Sequence, residues 1–352
     1  MTLSYKIHFG GPSQPSGYLR DVLAARITAA PAGGTIDWVT YYFRDHELAE
    51  ALIHAKRRGV KVTVCLSGQP RVADANDEVI SLLSGERGLD DGLRKIILPG
   101  ISAPHNRTWR PQVHEKIYCF SHPEPVAFIG SFNPSGNRLA EQSEILQEIG
   151  DQDRGHNVLI GIMAPQIVEV LMQHVRQFQQ QPPGLLYRFS DRANRAICDN
   201  DITIHFLPST CSHPVVRFLR SIGKNARVRV AASHIRMQQA ADVMIELARR
   251  GVKVEIIANH THRRVPPAIE RRLTAAGIQI DRIGAVGNLP MHLKFLLVED
   301  QGRFWSIFGS FNWTKPSFWL NHEIIAISTN LKIFQAFSEQ WELLEAARSE
   351  QQ

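Results

Sequence analysis

Apolar positions along this chain alternate between short runs of period two and longer runs of period 3.6, and the order of these runs recurs. TIDWVTYYF and VKVTVCLS read as strands, and between them HELAEALIHAKRRG reads as an amphipathic helix. RVRVAASHI, AADVMIELARRG and VKVEIIAN repeat the same succession further on. The two copies share a marker. Arg57-Arg58-Gly59-Val60-Lys61-Val62 recurs as Arg249-Arg250-Gly251-Val252-Lys253-Val254, with basic residues on the last helical turn and a glycine to end it. Such recurrence is an internal repeat. Strand, helix, strand in that order implies parallel pairing through a right-handed crossover. QIVEVLMQHVRQF should close the first half as a helix, and NLKIFQAFSEQWELLEAARSE the second. Between them QQQPPGLLYRFSDRANRA, residues 179–196, breaks periodicity and reads as a linker. The expected lobes are therefore residues 1–184 and 185–352. Residues 71–110 have no counterpart in this reading, and SGERGLDDG and PGISAPHNRTWRP within them read as surface loops.

Each half also ends in the same chemistry. His114-Glu115-Lys116 is followed, after an apolar run, by Gly130-Ser131-Phe132-Asn133. His292-Leu293-Lys294 is followed in the same way by Gly309-Ser310-Phe311-Asn312. On a strand, residues two apart share a face. Each copy thus gathers an imidazole, an ammonium, a hydroxyl and a carboxamide. Those groups make half of a phosphate site: a cation and donors for the oxygens, and a ring that can attack phosphorus or move a proton.

Composition adds little to this. At 352 residues and 43% hydrophobic content, the chain is long enough for two domains. A net charge of +6 and a pI of about 9.2 favour an anionic partner. Cys65, Cys119, Cys198 and Cys211 lie far apart, which indicates neither a zinc site nor a disulfide framework and fits a reducing compartment. The first residues have no apolar signal core, and no run reaches the length of a membrane span. A soluble cytoplasmic protein, at most peripheral to the inner face of a membrane, is expected. No metal or other cofactor is expected, since no cluster of carboxylates, histidines and cysteines has ligand spacing.

The doubled pattern resembles the phospholipase D superfamily, whose signature is HxK(x)4D followed by GSxN, twice per chain. The resemblance covers nearly the whole sequence. It implies two similar α/β lobes, each a mixed β-sheet flanked by helices, related by a pseudo-twofold axis with the active site between them. It also implies phosphodiester cleavage or transfer through a phosphohistidine. His114, Lys116, Ser131 and Asn133 would act together with His292, Lys294, Ser310 and Asn312. The N-terminal histidine of such proteins is usually the nucleophile, which makes His114 the attacking group and His292 the general acid. A carboxylate downstream of the second GSxN orients the nucleophile; Glu323 of Asn321-His322-Glu323-Ile324 stands there. The sequence departs from the pattern elsewhere. Asn157 occupies the position of that carboxylate in the first copy, and the Asp of HxK(x)4D is replaced by Ser121 and Glu299. Asn157 and Glu299 are the remaining expected orienting groups.

Further expectations concern the ligand. Arg44 and Arg236 end the first strand of each repeat, where ligands approach α/β sheets; each faces substrate or is salt-bridged at the surface. Asn259-His260-Thr261-His262-Arg263-Arg264 binds an anion or forms a solvated loop. Trp313 or Trp319, among the aromatics around the second GSFN, is expected to touch substrate. His8, His54, His174 and His205 are expected to be structural or exposed. Chain length and the two repeats most resemble bacterial cardiolipin synthase-like proteins, which points to a phospholipid. The GSFNWT and NHE segments resemble the small nucleases of the superfamily, which keeps nucleic acid open. A phosphate-binding scaffold without turnover is the third reading.

Overall fold

The computed structural model describes residues 4–103, 107–135, 150–180, 194–209, 213–283 and 289–349. The chain divides into two compact units, Met1–Phe189 and Ser190–Gln352. Of the expected linker, residues 181–193 lie outside the described residues.

The first unit runs β1 (Tyr5–Phe9), α1 (Tyr18–Ala29), β2 (Thr35–Thr40), α2 (His46–Arg57), β3 (Lys61–Ser67), α3 (Asp77–Ser84), β4 (Leu93–Ile96), β5 (Ile101–Ala103), β6 (Arg107–Trp109), β7 (Ile117–Phe120), β8 (Val126–Gly130), β9 (Val158–Ile162) and α4 (Pro165–Gln180). Its main sheet has the order β1-β9-β8-β7-β2-β3-β4. β2, β3 and β4 pair in parallel, as a β-α-β order dictates, and β7, β8 and β9 form an antiparallel meander. The period-two alternation of β2 sorts the two faces. Ile36 and Trp38 join the core formed with Leu23 of α1, Leu52 of α2 and Leu83 of α3. Asp37 points the other way and pairs with Arg176 of α4 at 2.8 Å. Helices therefore cover both faces. Full burial of each large apolar side chain contributes roughly 1.5–3 kcal/mol relative to exposure.

The second unit repeats this plan: β10 (Ile197–Asp199), β11 (Ile202–Leu207), α5 (Pro214–Ser221), β12 (Arg227–Ala232), α6 (Gln238–Arg249), β13 (Lys253–Asn259), α7 (Pro267–Ala275), β14 (Gln279–Ile283), β15 (Lys294–Asp300), β16 (Arg303–Gly309), α8 (Lys315–Trp319), β17 (Glu323–Ser328) and α9 (Leu331–Ser349). The sheet order is β10-β11-β17-β16-β15-β12-β13-β14. Apart from the extra edge strand β10, the two orders match strand for strand. Val228 and Val230 of β12 face the core that includes Met244 of α6. Phe295 of β15 and Phe308 of β16 meet Phe337 of α9 on the other side, at ring separations of 4.8 and 5.4 Å. The Arg-Arg-Gly markers also do equivalent work. Arg58 donates to the carbonyl of Ile27, and Arg250 to that of Ile222, so each ties the end of its helix to the preceding one.

Two expectations need correction. Residues 71–110 do have a counterpart over most of their length, because α3 and β4 match α7 and β14. Both helices are short and their strands are edge strands, so periodicity alone did not show them. PGISAPHNRTWRP is not simply a loop: β5 and β6 pair antiparallel, Ile101 opposite Trp109. The initial strand and helix of each repeat, β1–α1 and β11–α5, were also missed.

Candidate active site

In the first unit the His-x-Lys stretch lies just before β7, at the end of the sheet where β2 and β3 finish. His114 is 8% exposed and Lys116 fully buried. The Lys116 ammonium donates to the carbonyl oxygen of His114 at 2.7 Å, which fixes the two relative to each other. Tyr41 walls this corner. Its ring lies edge-on to His114 at 4.9 Å, and Lys116 Nζ sits 5.4 Å from its centroid. Burial raises the Tyr41 phenol well above its ordinary value, so it stays neutral. The intervening Glu115 points to the opposite face, where His174 of α4 meets it at 2.8 Å. His174 is thus structural, as expected, through a buried contact with Glu115.

The GSFN turn follows from close approach of two strands. A Cβ on Gly130 would lie 2.1 Å from the carbonyl oxygen of Val158. Ser131 Oγ accepts the Val158 amide at 3.1 Å and donates to Asn157 Oδ1 at 3.0 Å. Asn157 in turn donates to the Gln152 carbonyl and side-chain oxygens, at 3.1 and 3.3 Å. Asn133 Oδ1 accepts the Tyr42 amide at 3.4 Å.

The second unit rebuilds this arrangement with other residues. Lys294 donates to the His292 carbonyl at 2.7 Å, and both are buried. A Cβ on Gly309 would also lie 2.1 Å from a carbonyl, that of Ile324, and its φ of +146° suits glycine. Ser310 Oγ accepts the Ile324 amide at 3.1 Å and donates to Glu323 Oε2 at 2.5 Å. Ser317 Oγ and Asn321 Nδ2 donate to the other oxygen, at 2.7 and 3.3 Å. Asn157 and Glu323 therefore occupy the same position in the two units, one neutral and one acidic. The serines were expected among the catalytic groups. Each ties the GSFN turn to the next strand and to Asn157 or Glu323. Asn312 is half-buried, and its Oδ1 is without a hydrogen-bond partner.

Glu323 accepts from three side-chain donors. A glutamine there would turn an NH2 group toward at least one donor. Glu323→Gln is expected to lower turnover by about tenfold or more, the scale of a hydrogen bond to a charged group. Asn157→Asp is expected to cost far less turnover. Steady-state assays of the two variants, normalised to folded protein, check the order.

Other expected site residues fall elsewhere. Glu299 lies at the far end of β15 from Lys294 and pairs with Arg229 at 2.9 Å, so it orients no catalytic histidine. Ser121 likewise ends β7, where its hydroxyl accepts the Thr35 amide at 2.7 Å. Both positions brace a strand pair. Trp313 is 2% exposed and packs on Phe311 and Phe318, while its amide and carbonyl bond to the segment after β12. It is a core residue, and Trp319, 53% exposed, is the accessible one. Arg44 and Arg236 hold matching places, since their amides donate to the carbonyls of Pro134 and Trp313. Their side chains differ: Arg44 is buried and Arg236 exposed. In the loop after β13, Arg264 is buried with its guanidinium on Ser233, while His260 and Arg263 are exposed. Sequence reasoning missed Tyr41, Gln152 and Ser317, whose residue types are common and whose neighbours lie far away in the chain. Among the described residues no group of three or more histidines, cysteines or carboxylates is arranged to hold a metal ion. No helix among them is long and apolar enough to cross a membrane.

Each unit thus carries a histidine and a buried lysine bonded at a strand end, with a Gly-Ser turn and an amide or carboxylate beside them. A family model described as cardiolipin synthase, PLD-like domain, matches residues 23–158 and 218–344, and the chain belongs to that family. The chemistry of its superfamily is phosphodiester chemistry. A mitochondrial cardiolipin hydrolase of Chlamydomonas reinhardtii is 28% identical over 129 residues, which are 36% of this chain and 56% of that protein. The phosphatidylserine synthase of Haemophilus influenzae has the same fold, with a TM-score of 0.66 at 12% identity over 97% of this chain and 86% of that one. A polyphosphate kinase from Porphyromonas gingivalis is similar at a TM-score of 0.60 and 13% identity, covering 98% of this chain and 50% of that one. The chain thus spans only about half the length of the hydrolase and of the kinase.

Proposed function

We propose that this protein cleaves or transfers phosphodiesters of phospholipids through a phosphohistidine, as a phospholipase D or cardiolipin synthase-like enzyme. The observation that carries the reading is the duplicated half-site, with the same lysine-to-histidine bond of 2.7 Å in both units. One imidazole is not enough for this reaction. A nitrogen of His114 attacks phosphorus, and a P–N bond forms as the P–O bond to the leaving alcohol breaks. The His292 imidazolium gives its proton to the departing oxygen. Neutral His292 then takes a proton from water or an acceptor alcohol, whose oxygen attacks phosphorus and breaks the P–N bond. Lys116, Lys294, Asn133 and Asn312 stabilise charge on the nonbridging oxygens. The family description and the cardiolipin-directed relative support a phospholipid substrate. The GSFNWT and NHE segments support nucleic acid as the second reading.

Wild type and His114→Ala should be assayed side by side on a panel of phospholipids, plasmid DNA and RNA. Headgroup release, or headgroup exchange with an added alcohol, is expected from wild type alone. Nucleolysis without lipid turnover would transfer the reading to the nuclease class. Binding of anionic ligands without any turnover would make the protein a scaffold. Activity is expected to persist in EDTA, because the charge-stabilising groups of both half-sites are lysines and asparagines. Loss on chelation, restored by one particular metal, would falsify that.

A further inference from the structure

The chain between β4 and His114 is longer than its counterpart and carries apolar side chains at the surface. β4 ends at Ile96, eighteen positions before His114, whereas β14 ends at Ile283, nine positions before His292. The extra length in the first unit holds the β5–β6 ribbon. Both of its legs are fastened to the end of β3. The Gly68 amide donates to the Ile96 carbonyl at 2.7 Å, and the Ser67 hydroxyl donates to Gln112 Oε1 at 3.1 Å. β4 runs parallel to β3 and β2, so the ribbon leaves the sheet at the end where His114 lies. Its two faces differ. Ile101 and Trp109 are opposite each other in the pairing and share one face, while Ser102 and Thr108 share the other. Trp109 is 37% exposed and Ile97, just after β4, 52%. Among the described residues of the first unit, only Val170 of α4 joins them as an exposed large apolar side chain. A two-stranded ribbon has no core of its own in which to bury such groups. The charge around them is one-sided. Between Asp91 and Glu115 the sequence has Arg94, Lys95, Arg107 and Arg110 and no acidic residue. Lys95 and Arg110 are exposed.

We propose that this ribbon is a membrane-docking element of the first unit: Ile97, Ile101 and Trp109 enter the headgroup region of an anionic phospholipid bilayer, and Lys95 and Arg110 meet its phosphates. The inference deepens the reading of phospholipid as the substrate and rests on it, since a site for lipid has to be brought to the bilayer. An indole suits that boundary, with an apolar body and a polar N–H. Basic side chains beside it are attracted to the negative surface within a Debye length. Charge complementarity selects this occupant over a second copy of the chain, because a self-complementary contact would set one basic ribbon against another. Nucleic acid would match the charge and could stack on Trp109. It offers nothing apolar to the aliphatic Ile97, which is the more exposed of the two. Docked in this way, the ribbon places His114 close to the lipid surface, because the leg formed by β6 leads into it within five residues.

Flotation of wild type with vesicles of phosphatidylcholine alone, or mixed with phosphatidylglycerol, tests this without turnover. Vesicle binding with no lipid turnover would sink the enzymatic reading and leave the ribbon's role standing. Turnover of short-chain lipid monomers without vesicle binding would do the reverse. Wild type should bind the mixed vesicles ~10-fold or more tighter than phosphatidylcholine, since each basic residue at an anionic surface is worth roughly fivefold. Ile97→Ser combined with Trp109→Ala should weaken binding to the mixed vesicles by ~10-fold or more, while hydrolysis of a soluble aryl phosphodiester stays as in wild type. Arg110→Glu changes an exposed side chain and keeps the test open if the apolar pair of substitutions misfolds. It should weaken binding to the mixed vesicles by ~10-fold and leave binding to phosphatidylcholine as it was. Failure of wild type to bind the mixed vesicles, or equal binding to both kinds, would overturn the proposal. So would a folded variant that binds the mixed vesicles as wild type does, whether or not it has lost nucleic-acid binding or self-association.

Discussion

His114→Ala is expected to abolish turnover and to yield no covalent adduct, whereas His292→Ala should accumulate a phosphohistidine on His114. The asymmetry follows from the proposed roles. The nucleophile is needed for the P–N bond to form at all, so its loss should reduce turnover by on the order of 10⁴-fold or more. The general acid is needed only when the leaving group is a poor one. With an activated aryl phosphodiester, whose leaving oxygen needs no proton, His114 can still attack in the His292→Ala protein. The adduct then persists, because no imidazole remains to take a proton from water. Mass spectrometry of quenched single-turnover mixtures reads this directly. An adduct mapped to His292, in wild type or in His114→Ala, would reverse the assignment.

The two lysines should be similarly indispensable. Lys116→Ala and Lys294→Ala are each expected to lower turnover by about 10²–10³-fold, as for loss of one oxyanion donor. Each ammonium donates to the carbonyl of its own histidine. In the proposed mechanism each lysine both positions its histidine and binds phosphate. Loss of binding alone would raise KM, while loss of transition-state stabilisation lowers kcat. A change confined to KM in either folded variant, or near-normal turnover in one of them, would overturn the role proposed for that lysine. Arginine should not restore activity, because its larger planar group does not fit the fully buried position of Lys116.

Much of this was already present in the order of residues. The repeated strand–helix–strand units, their parallel pairing and the helices that close each half follow from local periodicity and crossover handedness, and the structure has them. The His-x-Lys and Gly-Ser-Phe-Asn segments were recognisable because their chemistry sits at short fixed spacing. Asn157 was also correctly aligned with Glu323, since each lies one residue before the strand amide that bonds to the GSFN serine. Tertiary structure decided what depends on partners distant in sequence. Glu299 has a carboxylate suited to orientation, yet β12 supplies Arg229 and holds it away from His292. Trp313 has the right type for a substrate wall, but Phe311, Phe318 and the segment after β12 enclose it. Arg44 and Arg236 are equivalent in sequence and backbone, and only packing buries one and exposes the other. Residue type and spacing set which groups a strand can present. Whether a presented group meets solvent, a counter-ion or a hydrophobic wall depends on side chains brought there from elsewhere in the chain. Periodicity carries no record of those meetings.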